Sequence, residues 1–190
     1  MPLIKRILKW IAIAACASVL LAVASYGWMR VHDGPVEFYP WFTISIGGPF
    51  RSGELTPAPE SWAFLRDREE IEIQTLNPNT SRTVWVPVVD GQLYIVSGYM
   101  NSAIGRLWKQ WPAYLEQDNR ILIRDSGKIY EQCLDRILDD AGKAVPVLAE
   151  LTRKYFGGSG QSIPGSEIAV TSGSIWMFEV VDCTQEQSQE

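Results

Sequence analysis

Apolar residues are spaced in three ways along this chain, and each spacing predicts a different kind of element. From Trp10 to Met29 the run WIAIAACASVLLAVASYGWM carries no charge. A helix needs about 20 such residues to cross roughly 30 Å of hydrocarbon, so the run predicts one membrane-spanning helix over residues 10–29. Lys5, Arg6 and Lys9 precede it, which puts the N-terminus in the cytoplasm, and Tyr26, Trp28 and Arg30 fall at the far interface. Two processing patterns compete for the same stretch. Ala22-Val23-Ala24 would serve as a signal-peptide cleavage site, and Ile13-Ala14-Ala15-Cys16 loosely matches a lipoprotein box. All three readings place the following domain outside the cytoplasm, on the outer (periplasmic) face.

Alternation with period two marks strands further on. Glu70-Ile71-Glu72-Ile73-Gln74 alternates polar and apolar residues, and Asn77-Pro78-Asn79 breaks the pattern. Arg82 to Val89 is β-branched and aromatic, Asp90-Gly91 is a hairpin turn, and Gln92 to Val96 returns. Pro87 has no N–H to give a ladder, so it predicts a bulge or an unpaired edge. Strands over 119–124 and 128–138 follow, joined at Ser126-Gly127, and a last strand covers 174–181.

Helical spacing appears in three places. Thr56-Pro57 reads as an N-cap and first helical position for a helix to about Arg66, with Trp62 and Leu65 on one side. Residues 103–117 space Ile104, Leu107, Trp108, Trp111 and Leu115 helically, and Pro112 must kink this helix or open a second short turn. A third helix covers 143–156, followed by a loop from Gly157 to Gly165. Upstream, 33–53 reads as a linker, an extended stretch near Phe42–Ile46 and a turn at Gly47-Gly48-Pro49.

The order hairpin, helix, hairpin, helix, strand lacks the βα alternation of a doubly wound sheet. It predicts a mainly β fold: a small antiparallel barrel with flanking helices and one N-terminal transmembrane helix. The organisation is a basic stub and anchor over 1–30, a linker with the first extended segment over 31–55, one domain over 56–183 and a polar tail over 184–190.

Charge then narrows the partners. Residues 1–30 hold four basic residues and no acid, leaving 13 basic and 22 acidic residues beyond them, a net charge of −9. That balance opposes nucleic-acid binding, which depends on neutralising phosphates. Eight tryptophans in 190 residues call for a core, a pocket or a membrane interface to take them. Cys133 and Cys183 are the two thiols outside the anchor; whether they pair depends on a Cα separation that spacing does not give. With His32 the sole histidine and no C-x₂-C pair, no metal site is expected.

Common catalytic signatures are missing. One histidine beside the membrane leaves no Ser-His-Asp or Cys-His arrangement in the domain, and there is no P-loop, G-x-S-x-G or dinucleotide fingerprint. What remains is a pattern over several elements. Ser81-Arg82-Thr83 opens a strand that runs to Val86-Pro87-Val88-Val89, turns on Asp90-Gly91 and returns as Leu93-Tyr94-Ile95-Val96-Ser97-Gly98; a helix with Arg106, Trp108 and Lys109 comes next.

Over residues 68–182 this resembles the split β-barrel flavin-binding superfamily, which includes pyridoxamine-phosphate-oxidase-like proteins and deazaflavin-dependent nitroreductases. It departs from the family pattern at Trp111-Pro112, where the helix usually continues W-x-x-N-L, and in the loop Asn77–Ser81. The resemblance implies an FMN or deazaflavin F420 cofactor, oxidoreductase chemistry and a homodimer with the cofactor between subunits. It implies that Arg82 and Thr83 meet cofactor phosphate or ring, that Ser97 and Gly98 let backbone approach the ring, that Arg106 and Lys109 hold phosphate, and that Trp85 and Trp108 stack. The rival reading keeps the split barrel without a cofactor, as a non-catalytic module for a small ligand, a lipid or a membrane partner.

Overall fold

The computed structural model describes residues 2–38, 44–102 and 110–183. Helix α1 (Pro2–Val31) carries the apolar run, and no part of its 18-residue window of highest hydropathy is buried against the rest of the structure. It is long and apolar enough to cross a membrane.

The chain leaves α1 and enters the sheet at once. β1 (Pro35–Phe38) pairs with β2 (Ile44–Gly47), where the sequence predicted a linker before the first extended segment. The exit is pinned: the Arg30 guanidinium donates to the carbonyls of Gly47 and Asn79, both at 3.3 Å. β3 (Glu54–Leu55) then pairs in parallel with β9 (Lys128–Ile137), and the Thr56 N–H donates to Ile129 O at 2.8 Å. This overturns the helix predicted from Thr56 to Arg66. The Thr56 backbone is spent on the sheet, Pro57 and Pro59 disfavour helix for the residues before them, and only a 3-10 turn forms at Ala63–Leu65. Trp62 and Leu65 are nonetheless buried together, as their spacing predicted.

β4 (Glu70–Leu76) and β5 (Asn79–Trp85) form a hairpin across Asn77-Pro78. Pro87 interrupts what the sequence read as one strand to Val89. β5 ends at Trp85 and pairs with β4, whereas β6 (Val88–Val89) pairs with β7 (Gln92–Ser97) through the Asp90-Gly91 turn. The peptide groups stranded at this bend are taken up from outside the sheet. The Tyr155 hydroxyl accepts from Val86 N at 2.8 Å, and Lys154 Nζ donates to Val86 O at 2.8 Å, so buried backbone polarity is satisfied where the ladder fails.

Pro112 opens a short helix, α2 (Trp111–Tyr114), in place of a kink; the rest of the predicted helix, residues 103–109, lies outside the described residues. β8 (Arg120–Asp125) and β9 form the second hairpin. α3 (Ala141–Tyr155) starts at an Asp140 cap whose carboxylate accepts from Lys143 N at 3.1 Å. A short helix, α4 (Ile168–Thr171), which the sequence did not predict, precedes β10 (Trp176–Val181).

The strands run in the order β1-β2-β5-β4-β8-β9-β10-β7-β6, every neighbouring pair antiparallel. The sheet curls until β5 and β7 approach without pairing, among the described residues. This is a split barrel, and its open seam lies between those two strands. Period-two alternation sorts the side chains on either face. Ile73, Val84, Ile95, Ile123 and Phe178 fill the barrel, while Tyr94, Ile137 and Met177 face outward under Val147 and Leu151 of α3. Cys133 of β9 and Cys183, just past β10, form a disulfide with Cα atoms 5.0 Å apart, closing the segment that carries α3 and α4.

Candidate functional site

The seam opens into a cavity of about 1040 Å³, at the upper end of small-molecule sites, roughly 300–1,000 Å³. Three elements wall it: β5 with Arg82, Thr83 and Trp85; the end of β7 with Ser97 and Gly98; and α3 with Leu148, Leu151 and Thr152. The strand walls exist because β5, paired with β4 on one side, has no neighbour on the other beyond Ser81, its one bridge to β2 among the described residues. The helix wall exists because the apolar residues of α3 recur every three or four positions, so Leu148 and Leu151 share a face with the buried Val147.

Arg82 dominates the electrostatics. It lies on the inner side of β5, its guanidinium 5.3 Å from the centre of the Trp111 ring, with Nη2 donating to Thr80 Oγ1 at 2.9 Å. Over its whole length it is half-buried, but Nε is fully enclosed and makes no hydrogen bond. Arg82 makes no ion pair among the described residues. Burial pushes its pKa down to about 10, against a small opposing pull from Tyr114. A desolvated cation with a spare N–H is an unmet demand for an oxygen acceptor.

The other predicted residues take varied roles. The Ser97 hydroxyl is buried and donates to Met100 Sδ at 3.3 Å. Trp85 is partly open to solvent and stacks on Tyr155, ring centres 4.6 Å apart and planes 11° from parallel. A Cβ placed at Gly98 would meet nothing within 4 Å among the described residues, so this position adds no side chain to the cavity wall. Arg82, Thr83, Trp85, Ser97 and Gly98 therefore line one cavity although sixteen positions separate the first from the last. Arg106, Trp108 and Lys109 lie outside the described residues. Sequence reasoning missed Trp111, Tyr99 and the whole α3 wall. Trp111 had a signal, since it stands where the chain departs from the family pattern; the wall had none, because its residues meet the strands only through tertiary packing.

A second, polar cavity of about 530 Å³ shares Glu70 and Thr83 with the first and holds Asp33, Glu72 and Arg124. Its charges are paired. Arg124 donates from Nη1 to Asp33 Oδ1 at 2.8 Å and from Nε to Glu72, and lies 4.3 Å from the Phe50 ring centre. Gly34, with φ +79°, sits against this guanidinium so closely that any side chain would displace it. Among the described residues no group of three or more His, Cys, Asp or Glu could hold a metal ion.

No family model and no curated protein sequence matches the chain. Two solved structures are similar in fold. The conserved hypothetical protein Rv2991 from Mycobacterium tuberculosis aligns over 64% of this chain and 77% of its own, at 13% identity and a TM-score of 0.45. A protein from Listeria innocua provisionally named pyridoxamine 5'-phosphate oxidase aligns over 63% of this chain and 87% of its own, at 12% identity and a TM-score of 0.39. Alignments this distant carry no activity across to this chain. Its fold is established by its own sheet: an antiparallel split barrel with flanking helices and one N-terminal helix of membrane-spanning length.

Proposed function

We propose that this chain is a membrane-anchored split-barrel domain that binds a flavin or deazaflavin in the seam cavity and serves as an oxidoreductase. The observation that carries the reading is the unpartnered Arg82 Nε in the wall of that cavity. It suits a ring carbonyl or phosphate oxygen, and Gly98, which has no side chain, leaves room in the cavity for a flat ring. A bound flavin would supply the hydride chemistry. The share of this chain's residues is to hold the acceptor oxygens at Arg82, to seat the ring beside Thr83 and Ser97, and to exclude water with the α3 wall; Arg106 and Lys109 take the phosphate.

The domain lies on the outer face, with the N-terminus in the cytoplasm and residues 10–29 in the membrane. The Cys133–Cys183 bond supports this location, since disulfides persist in oxidising compartments. The working unit is a homodimer, and nucleic acid is not a partner.

The test is an absorbance spectrum of the native chain in detergent, which should carry flavin or deazaflavin bands. A folded, colourless protein that gives no shift with added FMN or deazaflavin would rule the reading out. Gly98→Val should weaken cofactor binding about tenfold or more, because the added side chain takes up space inside the cavity. The apolar face of α3 favours a second reading, a non-catalytic module for a small apolar ligand or lipid. Replacing Arg82, Arg106 and Lys109 with alanine separates the two: cofactor retention is lost under the first, and ligand binding survives under the second.

A further inference from the structure

Three described residues other than glycine have a positive φ: Asp90 (51°), Tyr99 (63°) and Ser126 (51°). Two have a reason in the fold. Asp90 and Ser126 each precede a positive-φ glycine, Gly91 and Gly127, within the turns of β6–β7 and β8–β9. Two-residue hairpins need left-handed residues at both positions to match the strand twist. Tyr99 lies in no hairpin. It follows β7, and a bulky L-residue in this region is an outlier with a real steric cost.

Its neighbours hold it there. The Met100 N–H donates to Ser174 O at 3.0 Å, the Ser102 N–H and hydroxyl donate to Tyr99 O at 3.1 and 2.8 Å, and Asn101 Nδ2 donates to Ser172 O at 2.8 Å. Met100 is buried alongside. The turn is thus fastened to the segment before β10, and the tyrosine is the residue driven into the costly conformation. The outcome is a ring 77% exposed to solvent that still lines the seam cavity. An exposed ring gains little from burial, so burial of the ring does not offset the strain. Strained backbone of this kind gathers at ligand clamps.

We propose that Tyr99 is the specificity-determining clamp of the seam cavity, its ring closing on a flat conjugated ring held below it. This deepens the flavin or deazaflavin reading and rests on it. Trp85 supports the chemistry of the occupant. It lines the same cavity from β5 and is backed by Tyr155 at 4.6 Å, so an entering ring meets aromatic groups from both edges of the seam. Offset or edge-on ring contacts select planar ligands over flexible chains.

The experiment titrates FMN and a deazaflavin into the detergent-solubilised full chain and into Tyr99→Phe and Tyr99→Gly, following ligand fluorescence, with thermal unfolding measured alongside. Glycine adopts positive φ freely, so Tyr99→Gly should unfold at the same temperature or a few degrees higher. Its binding should nevertheless weaken about tenfold, while Tyr99→Phe stays within about twofold of the parent. Tyr99→Gly that binds as tightly as the parent overturns the clamp alone. A drop in both unfolding temperature and binding overturns it in favour of a purely structural tyrosine. A parent chain that binds neither ligand overturns the cofactor reading and the clamp with it.

Discussion

Two arginines of the same sheet are buried on opposite terms. Arg124 of β8 lies among charges that answer it: Asp33 from the segment just after α1 and Glu72 from β4. Burial pulls its pKa down, but hydrogen bonds and charge from Glu72 and Asp33 outweigh that and raise it. Arg82 of β5 lies on Trp111 with no carboxylate paired to it among the described residues, and there burial wins. The first cluster is complete in itself and ties the chain leaving α1 to the barrel. The second leaves Arg82 Nε without an acceptor among the described residues. A buried charge that the fold has paired is structural, and one that it has left open points to a ligand.

Replacing each arginine with methionine should separate the two with opposite signs. Arg124→Met leaves Asp33 and Glu72 facing each other without a cation. Each is about a third exposed, so water absorbs part of the penalty, and a loss of about 2–3 kcal/mol is expected in denaturant unfolding of the solubilised chain. Arg82→Met removes an unpaired cation from an apolar wall. It should stabilise the chain by about 1 kcal/mol while abolishing cofactor retention. Equal destabilisation by the two substitutions would erase the distinction.

The smallest effect is on pH. Burial raises the Asp33 pKa, but hydrogen bonds from Ser52, Arg51 N–H and Arg124, with the Arg124 charge, outweigh it and hold the carboxyl well below its ordinary value of 3.8. A depressed carboxyl contributes stability that is fully present above about pH 4 and is lost as pH falls through the folded-state value. Limited proteolysis with an acid-active protease should therefore find residues 31–53 more readily cut near pH 2–3 than near pH 5, and Asp33→Asn should remove the difference. Arg82 adds nothing in that window. Its folded pKa of about 10 lies below the ordinary 12.5, so its linkage acts only above pH 10, where stability rises with pH.

Much of this could be read from residue order. The uncharged run became α1, the Ser126-Gly127 turn joined two strands, and the Asp90-Gly91 turn joined two more. Pro87 behaved as a residue without an N–H must. It ended one pairing and began another, which splits the predicted strand between two partners. The helix after Thr56 failed because a local cap signal competed with β9 for the same backbone groups, and the long-range pairing won. β1 hid in a stretch rich in glycine and proline whose pairing partner is its only strand signal.

By itself, the sequence determined the long apolar helix, the hairpins at Asp90-Gly91 and Ser126-Gly127 and the helix of α3, because hydrophobic period and turn chemistry are local properties of the chain; that Arg82, Thr83, Trp85, Ser97 and Gly98 belong together came from the family resemblance. Tertiary structure alone decided that, among the described residues, β5 and β7 stay unpaired, α3 covers the gap, and Arg82 has no carboxylate partner while Arg124 has two. These depend on which distant groups come within a few ångströms of one another, and for a buried charge that distance sets the energy.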